Sequence, residues 1–248
     1  PGRARMSVGQ RLLGGRASLV SVAPLFLIPP ALWAAYTWGA HLLTLGAIWC
    51  GPGTHRRVAL TFDDGPDPVH TPKLLDLLQE SGAPGTFFLV GQRAARAPDL
   101  VRRIVDEGHE IANHTWSHRN LWTCGPRGTE REIERSHWLL TEVAGRPPAW
   151  FRPPWGMVNL AAFGVTRRLQ TPCVLWTIQP ERLRPVPPER LALSVLRRAR
   201  PGAIVDLHDA EGVAGAPARL LAALPRMISG LKAQGYELVS LRTLLSGA

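Results

Sequence analysis

From Thr54 onward, short apolar runs alternate with stretches in which apolar residues recur every three or four positions. The runs at 58–62, 86–90, 110–113, 150–152, 174–177, 203–207 and 236–239 read as strands. The stretches between them read as amphipathic helices with recognisable ends. Thr71-Pro72 supplies a cap followed by proline at the first helical position. Thr129 and Glu132 have capping-box spacing ahead of Ile133, His137, Leu140 and Ala144 on one face. Gly108, Gly145 and Gly235 stand where such helices stop. Strands alternating with helices imply parallel pairing through right-handed crossovers, hence an α/β barrel or an open doubly wound sheet. In a parallel barrel the polar residues that end the strands collect on one rim, where chemistry is done.

The first 50 residues follow another pattern. Arg3, Arg5, Arg11 and Arg16 precede a stretch from Ala17 to Gly53 without Asp, Glu, Lys or Arg. A bilayer core needs about 20 apolar residues, so 1–16 is read as a basic flank, 17–53 as a membrane anchor and 54–248 as the folded domain. A secretory signal has a shorter apolar region, about 7–15 residues, and a small-residue cleavage site, which this run lacks. The upstream arginines favour a single pass in the cytoplasmic membrane with the folded domain outside. Pro24, Pro29 and Pro30 allow a kinked span or a hairpin, and Trp33, Trp38 and Trp49 read as interfacial anchors.

Composition narrows the class. At 45% hydrophobic over 248 residues the chain can build a packed core, and disorder is excluded. The net charge of +10 is almost wholly arginine, Lys73 and Lys232 being the lysines. That balance suits anionic polymers, but the arginines are scattered, with no basic helix, zinc-finger spacing or aromatic RNA-binding signature, so nucleic acid is not an expected partner. Cys50, Cys124 and Cys173 form no closed disulfide framework and no C-x-x-C pair.

The chemistry lies at the strand ends. The first strand runs into Thr61-Phe62-Asp63-Asp64-Gly65-Pro66-Asp67-Pro68, where adjacent carboxylates point apart, so one can ligate a metal while the other acts as a base. After the third strand comes His114-Thr115-Trp116-Ser117-His118, two imidazoles with chelating spacing on one helical turn. With Asp64 they complete a two-histidine, one-carboxylate site with open positions. On the strand that ends in Asp206-Leu207-His208, alternation puts Asp206 and His208 on one face. Taken singly, Asp63-Asp64 is also a turn pair and His208-Asp209 a satisfied strand end. His109 and His137 read as structural. Trp155, Trp116, Trp122 and Trp176 are candidates for lining a groove beside the site, Trp155 and Trp116 above all because they lie inside site motifs.

These segments, with Arg152-Pro153-Pro154-Trp155-Gly156 and Leu207-His208-Asp209 in the same order, resemble the polysaccharide deacetylases of the NodB-homology type over about residues 57–245. The resemblance implies a distorted, incomplete (β/α) barrel of about seven parallel strands, here preceded by the N-terminal transmembrane segment. It also implies a divalent ion, zinc first with cobalt or manganese as alternatives, on Asp64, His114 and His118. By the same resemblance Asp63 is the general base, His208 the general acid and Arg152 the partner that orients Asp63. The backbone N–H near Trp155 would hold the oxyanion, with Trp155, Pro154 and Trp116 against substrate. Where family members usually carry an Asp after the fifth strand, this chain has Gln179. Asp206 then either pairs with an arginine such as Arg152 or supplies the charge that keeps His208 protonated. The activity expected is removal of N-acetyl groups from an acetylated cell-wall or surface glycan. The alternatives are an amidase or deacetylase of a lipid-linked sugar, and a glycan-binding protein without turnover.

Overall fold

A computed structural model describes residues 30–39, 46–181, 184–210 and 212–246. Its centre is a parallel sheet of five strands: β1 (Arg57–Asp63), β2 (Thr86–Leu89), β3 (Glu110–Asn113), β4 (Ala203–His208) and β5 (Glu237–Leu238). The order is β3-β2-β1-β4, and β5 pairs with the start of β1 on the edge that β2 takes further along. Every β1 residue from Val58 to Asp63 is buried, as a central parallel strand covered on both faces requires. Val58, Leu60 and Phe62 join one core cluster with Val205 and Leu207. Ala59 and Ile204 face the opposite way, with Phe88 and Val174. The register sets Thr61 beside Asp206 and Asp63 beside His208, so period-two alternation delivers all four to the second face.

Helices surround the sheet, and most of them pack on the first face. They are α1 (Pro30–Ala34), α2 (Thr71–Ser81), α3 (Gly91–Arg96), α4 (Pro98–Asp106), α5 (Pro126–Ala144), α6 (Leu160–Arg168), α7 (Pro188–Arg198), α8 (Ala216–Ala233) and α9 (Leu241–Ser246). α2 buries Leu74, Leu75 and Leu78, and α8 buries Leu220, Leu224, Met227, Ile228 and Leu231 in the same cluster. Gly145 closes α5 in the left-handed conformation, where a side chain would be strained.

The expectation of a seven-stranded incomplete barrel behind a membrane span is corrected in two respects. The runs at 150–152 and 174–177 are not strands. Phe151 makes single parallel bridges to Asn113 and Cys173, Val174 pairs with Ile48, and Ile178 pairs with Val205. Arg152 and the loop beyond it carry the backbone away after one pair, because Pro153 and Pro154 have no N–H to extend a ladder. Second, among the described residues no helix is long and apolar enough to cross a membrane. Of the expected anchor over 17–53, residues 17–29 and 40–45 lie outside the described ones. α1 and the π-helical turn after it (Ala35–Gly39) have five residues each, about 15 Å together against a hydrocarbon core of about 30 Å. Residues from 48 onward belong to the sheet's surroundings: Ile48 exchanges backbone hydrogen bonds with Cys173 and Leu175, and the Gly51 N–H donates to the Gly202 carbonyl at 2.8 Å. A side chain on Gly202 would collide with the Gly51 carbonyl. The expected single-pass location in the cytoplasmic membrane loses its structural basis with the span.

The smaller expectations also shift. α2 has no side-chain cap, and Thr71 turns its hydroxyl to Asp209 instead. α5 begins at Pro126, a turn earlier than the Thr129–Glu132 spacing suggested, which leaves Glu132 free for another role.

Candidate active site

Asp63 ends β1 and Asp64 follows it with φ of 74°, a left-handed residue that swings its carboxylate away from its neighbour's. The segment 114–118 is not the helical turn expected: Thr115 and His118 are also left-handed, at φ of 67° and 57°. Two side chains hold this irregular backbone. Asn113 Oδ1 accepts from the Thr115 N–H at 2.9 Å, and the Asn113 amide donates to the Ile133 carbonyl. Glu132 on α5 accepts from the Ser117 N–H and hydroxyl at 2.9 and 2.8 Å. Sequence reading missed this use of Glu132; Pro126, a residue favoured at the first helical position, was the signal that α5 starts too early for Glu132 to be a cap.

So held, His118 Nε2 lies 2.8 Å and His114 Nε2 3.4 Å from Asp64 Oδ1. Ligand atoms of Asp64, His114 and His118 all fall within 4.8 Å of one another. His114 Nδ1 sits 2.8 Å from the Arg152 carbonyl, a contact that puts the proton on Nδ1 and turns the Nε2 lone pair toward Asp64. Burial raises the Asp64 carboxyl's pKa, but hydrogen bonds and charge from the two histidines outweigh it and hold the group well below the usual carboxylate range. Two imidazole nitrogens and one anionic oxygen, oriented from behind, fit a divalent transition-metal ion.

Arg152 is the largest fully buried side chain. It donates to Asp63 Oδ1 at 2.7 Å, to the Thr61 hydroxyl at 2.8 Å, and to the carbonyls of Val174 and Leu175. Its guanidinium lies over the Phe88 ring at 3.9 Å. Asp206 Oδ1 is 3.5 Å from the same nitrogen, and Asp206 Oδ2 accepts from Gln179 Nε2 at 2.8 Å. Burial and the charge of Asp63 push the Asp206 carboxyl up to about 7. His208 is raised: burial lowers it, and the charges of Asp206, Asp64 and Asp63 prevail.

Asp63, Asp64, His114, His118, Trp155, Asp206 and His208 line one cavity of about 250 Å³. Arg152 lies behind it, fully buried. Two residues expected near substrate are not among those lining this cavity: Pro154 is buried, and Trp116 packs under the Arg135 guanidinium, 3.7 Å from its ring centroid. Trp155 has φ of 55°, remains 55% exposed and sets its ring 4.6 Å from that of His118. His109, with Nδ1 accepting from the Gly85 N–H at the opposite end of the sheet, and His137 on α5 are buried, and burial lowers both imidazoles.

A parallel α/β sheet that gathers a nitrogen-and-carboxylate cluster, a second carboxylate and a histidine at its C-terminal edge defines a metal-hydrolase class of protein. The comparisons with known proteins are narrower. The model of the family described as polysaccharide deacetylase matches residues 51–174. A peptidoglycan-N-acetylglucosamine deacetylase of Bacillus cereus is 36% identical over 199 residues, covering 79% of this chain and 92% of the relative. A chitooligosaccharide deacetylase of Bradyrhizobium is 35% identical over 192 residues, covering 74% and 88%. Among solved structures, a peptidoglycan N-acetylglucosamine deacetylase crystallised with a naphthyl N-hydroxybenzamide superposes with a TM-score of 0.78 at 31% identity, covering 84% of this chain and 97% of that one. This chain belongs to the polysaccharide deacetylase family.

Proposed function

We propose that the chain hydrolyses the acetamide of N-acetylglucosamine units in a cell-wall glycan of the peptidoglycan or chitin-like type. Its relatives carry peptidoglycan and chitooligosaccharide deacetylase names. One observation carries the assignment of roles. Asp63 is fixed through Oδ1 by Arg152, while its Oδ2 stands 3.8 Å from His114 Nε2, beside the ligand cluster but outside it. Asp64, His114 and His118 would hold a divalent ion, zinc first by donor set, with cobalt and manganese as alternatives. When bound, the ion polarises the acetamide carbonyl and acidifies the attacking water.

The remaining chemistry belongs to the protein's own groups. Asp63 accepts a proton from the water whose oxygen attacks the carbonyl carbon. Arg152 donates to that carboxylate and so aims it. The backbone N–H near Trp155 would help hold the oxygen that becomes negative. His208 donates a proton to the nitrogen as the C–N bond breaks, since an unprotonated amine leaves poorly. Acetate and a free amino sugar result. Asp206, paired with Thr61 two positions before Asp63, holds His208 in its protonated form, in place of the carboxylate absent at Gln179.

The test separates the two adjacent aspartates. His118→Ala is expected to lose both bound metal and turnover, whereas Asp63→Asn keeps its metal and loses turnover. Metal analysis beside acetate release reads both. An Asp63→Asn protein that lost its ion, or stayed fully active, would overturn the division of roles.

A further inference from the structure

The short helix α3 touches both chain segments that carry the ligand cluster, although it supplies no ligand itself. Where β2 runs into it, the Val90 N–H donates to the Gly65 carbonyl at 2.8 Å, next to Asp64. Its first two residues serve the histidine segment: the Gly91 N–H donates to the Thr115 carbonyl and the Gln92 N–H to the Trp116 carbonyl, each at 2.9 Å. Gly91 lets that segment close on the helix, since a Cβ there would stand 2.6 Å from the Trp116 ring. The next residue, half-buried Arg93, donates from Nη1 to the Asp64 carbonyl at 2.8 Å. That carbonyl belongs to a left-handed aspartate, and a non-glycine residue keeps this conformation only where its surroundings over-determine it. The same turn of the backbone brings Asp64 Oδ1 to 2.8 Å from His118 Nε2 and 3.4 Å from His114 Nε2. Arg93 is not among the residues lining the catalytic cavity.

We propose that Arg93 is a positioning residue for the metal centre. Through the Asp64 carbonyl it fixes the left-handed turn, and with the backbone N–H groups of α3 it holds the carboxylate and the two imidazoles at the separation an ion needs. The inference rests on the reading of Asp64, His114 and His118 as the ligands of a metal-dependent deacetylase, and it adds a residue that acts on the ion through Asp64 alone. The sign of its effect separates position from charge. A guanidinium beside a ligand segment repels a divalent cation, so removing that charge alone tightens ion binding. Releasing the Asp64 turn loosens it.

Cobalt is the probe, added to the full chain and followed by chelator competition and by the visible absorption of the bound ion. Arg93→Met is expected to bind cobalt about tenfold to a hundredfold more weakly, the range for groups that orient a metal's ligands. Its cobalt absorption bands are expected to shift, with the circular dichroism spectrum unchanged. Arg93→Lys, which keeps the charge and a donor on a long side chain, is expected to recover part of the affinity. Should Arg93→Met fail to fold, Arg93→Gln carries the same expectations. Cobalt bound as tightly as by the unmutated chain, or more tightly, in a folded Arg93→Met or Arg93→Gln protein would overturn the proposal. So would weaker binding with the absorption bands in place, which would mean that the ligand geometry never depended on Arg93. Absence of acetate release by the unmutated chain, together with Arg93-dependent cobalt binding, would leave the positioning role standing and reject the deacetylase reading.

Discussion

Asp206 sets a carboxyl in a place where burial disfavours charge, paired across the sheet with Thr61, two residues before Asp63, and itself two residues before His208. It lies 3.5 Å from Arg152, one of the two partners open to it in the sequence, and accepts from the Gln179 amide at 2.8 Å. Because the charge of Asp206 raises the His208 imidazole, Asp206→Asn removes an opposing charge and the imidazole loses its proton at lower pH. The basic limb of the pH–rate profile is therefore expected to move down, and turnover to fall about tenfold to a hundredfold, with metal content unchanged. A profile that stays in place would show that Asp206 only fills a structural position. The ligand motif and its neighbours were legible at this scale because residue type and spacing specify donor chemistry. The Gln179–Asp206 contact was not, since it joins residues 27 apart through side chains whose directions depend on the loop between them.

At the scale of elements, the strands that carry catalytic residues are those whose patterns were plainest: β1, β3 and β4 lie within a residue of their expected bounds. The runs around Phe151 and Val174 share their apolar content but make isolated bridges, since ladder pairing depends on partners that a local pattern does not contain. Between elements, α5 acts on the ligand loop through Glu132. Glu132→Gln keeps the length but weakens the acceptor for Ser117, and a group supporting the ligands typically changes metal affinity about 10–100-fold when altered. Chelator competition on the variant is expected to show a weaker ion, with circular dichroism unchanged. Equal retention of the metal would leave Glu132 a bystander.

Over the whole molecule, the apolar run before residue 54 misled because hydropathy alone does not distinguish an anchor from a segment that packs on its own domain; from Ile48 onward it does the latter. Stability carries a second whole-molecule signature. Asp209 is buried under Gly65 with Thr71 donating to Oδ2, and burial pushes its carboxyl up to about 7. An unfolded aspartate titrates near 3.9, so the native state binds the extra proton and stability falls as pH rises between about 4 and 7. Asp209→Asn is expected to raise Tm over the unmutated chain by about 4 °C or more at pH 8, with little or no gain at pH 4. An equal effect at both would mean that Asp209 is ionised throughout. The central claim, that the sheet's C-terminal edge performs metal-dependent removal of acetyl groups from a glycan, is tested most directly by mass spectrometry of N-acetylglucosamine tetramer after incubation with the full chain. With a divalent ion supplied, stepwise loss of acetyl groups is expected, abolished by chelator and restored by added zinc. A tetramer that keeps every acetyl group, or loses them undiminished in chelator, would contradict it.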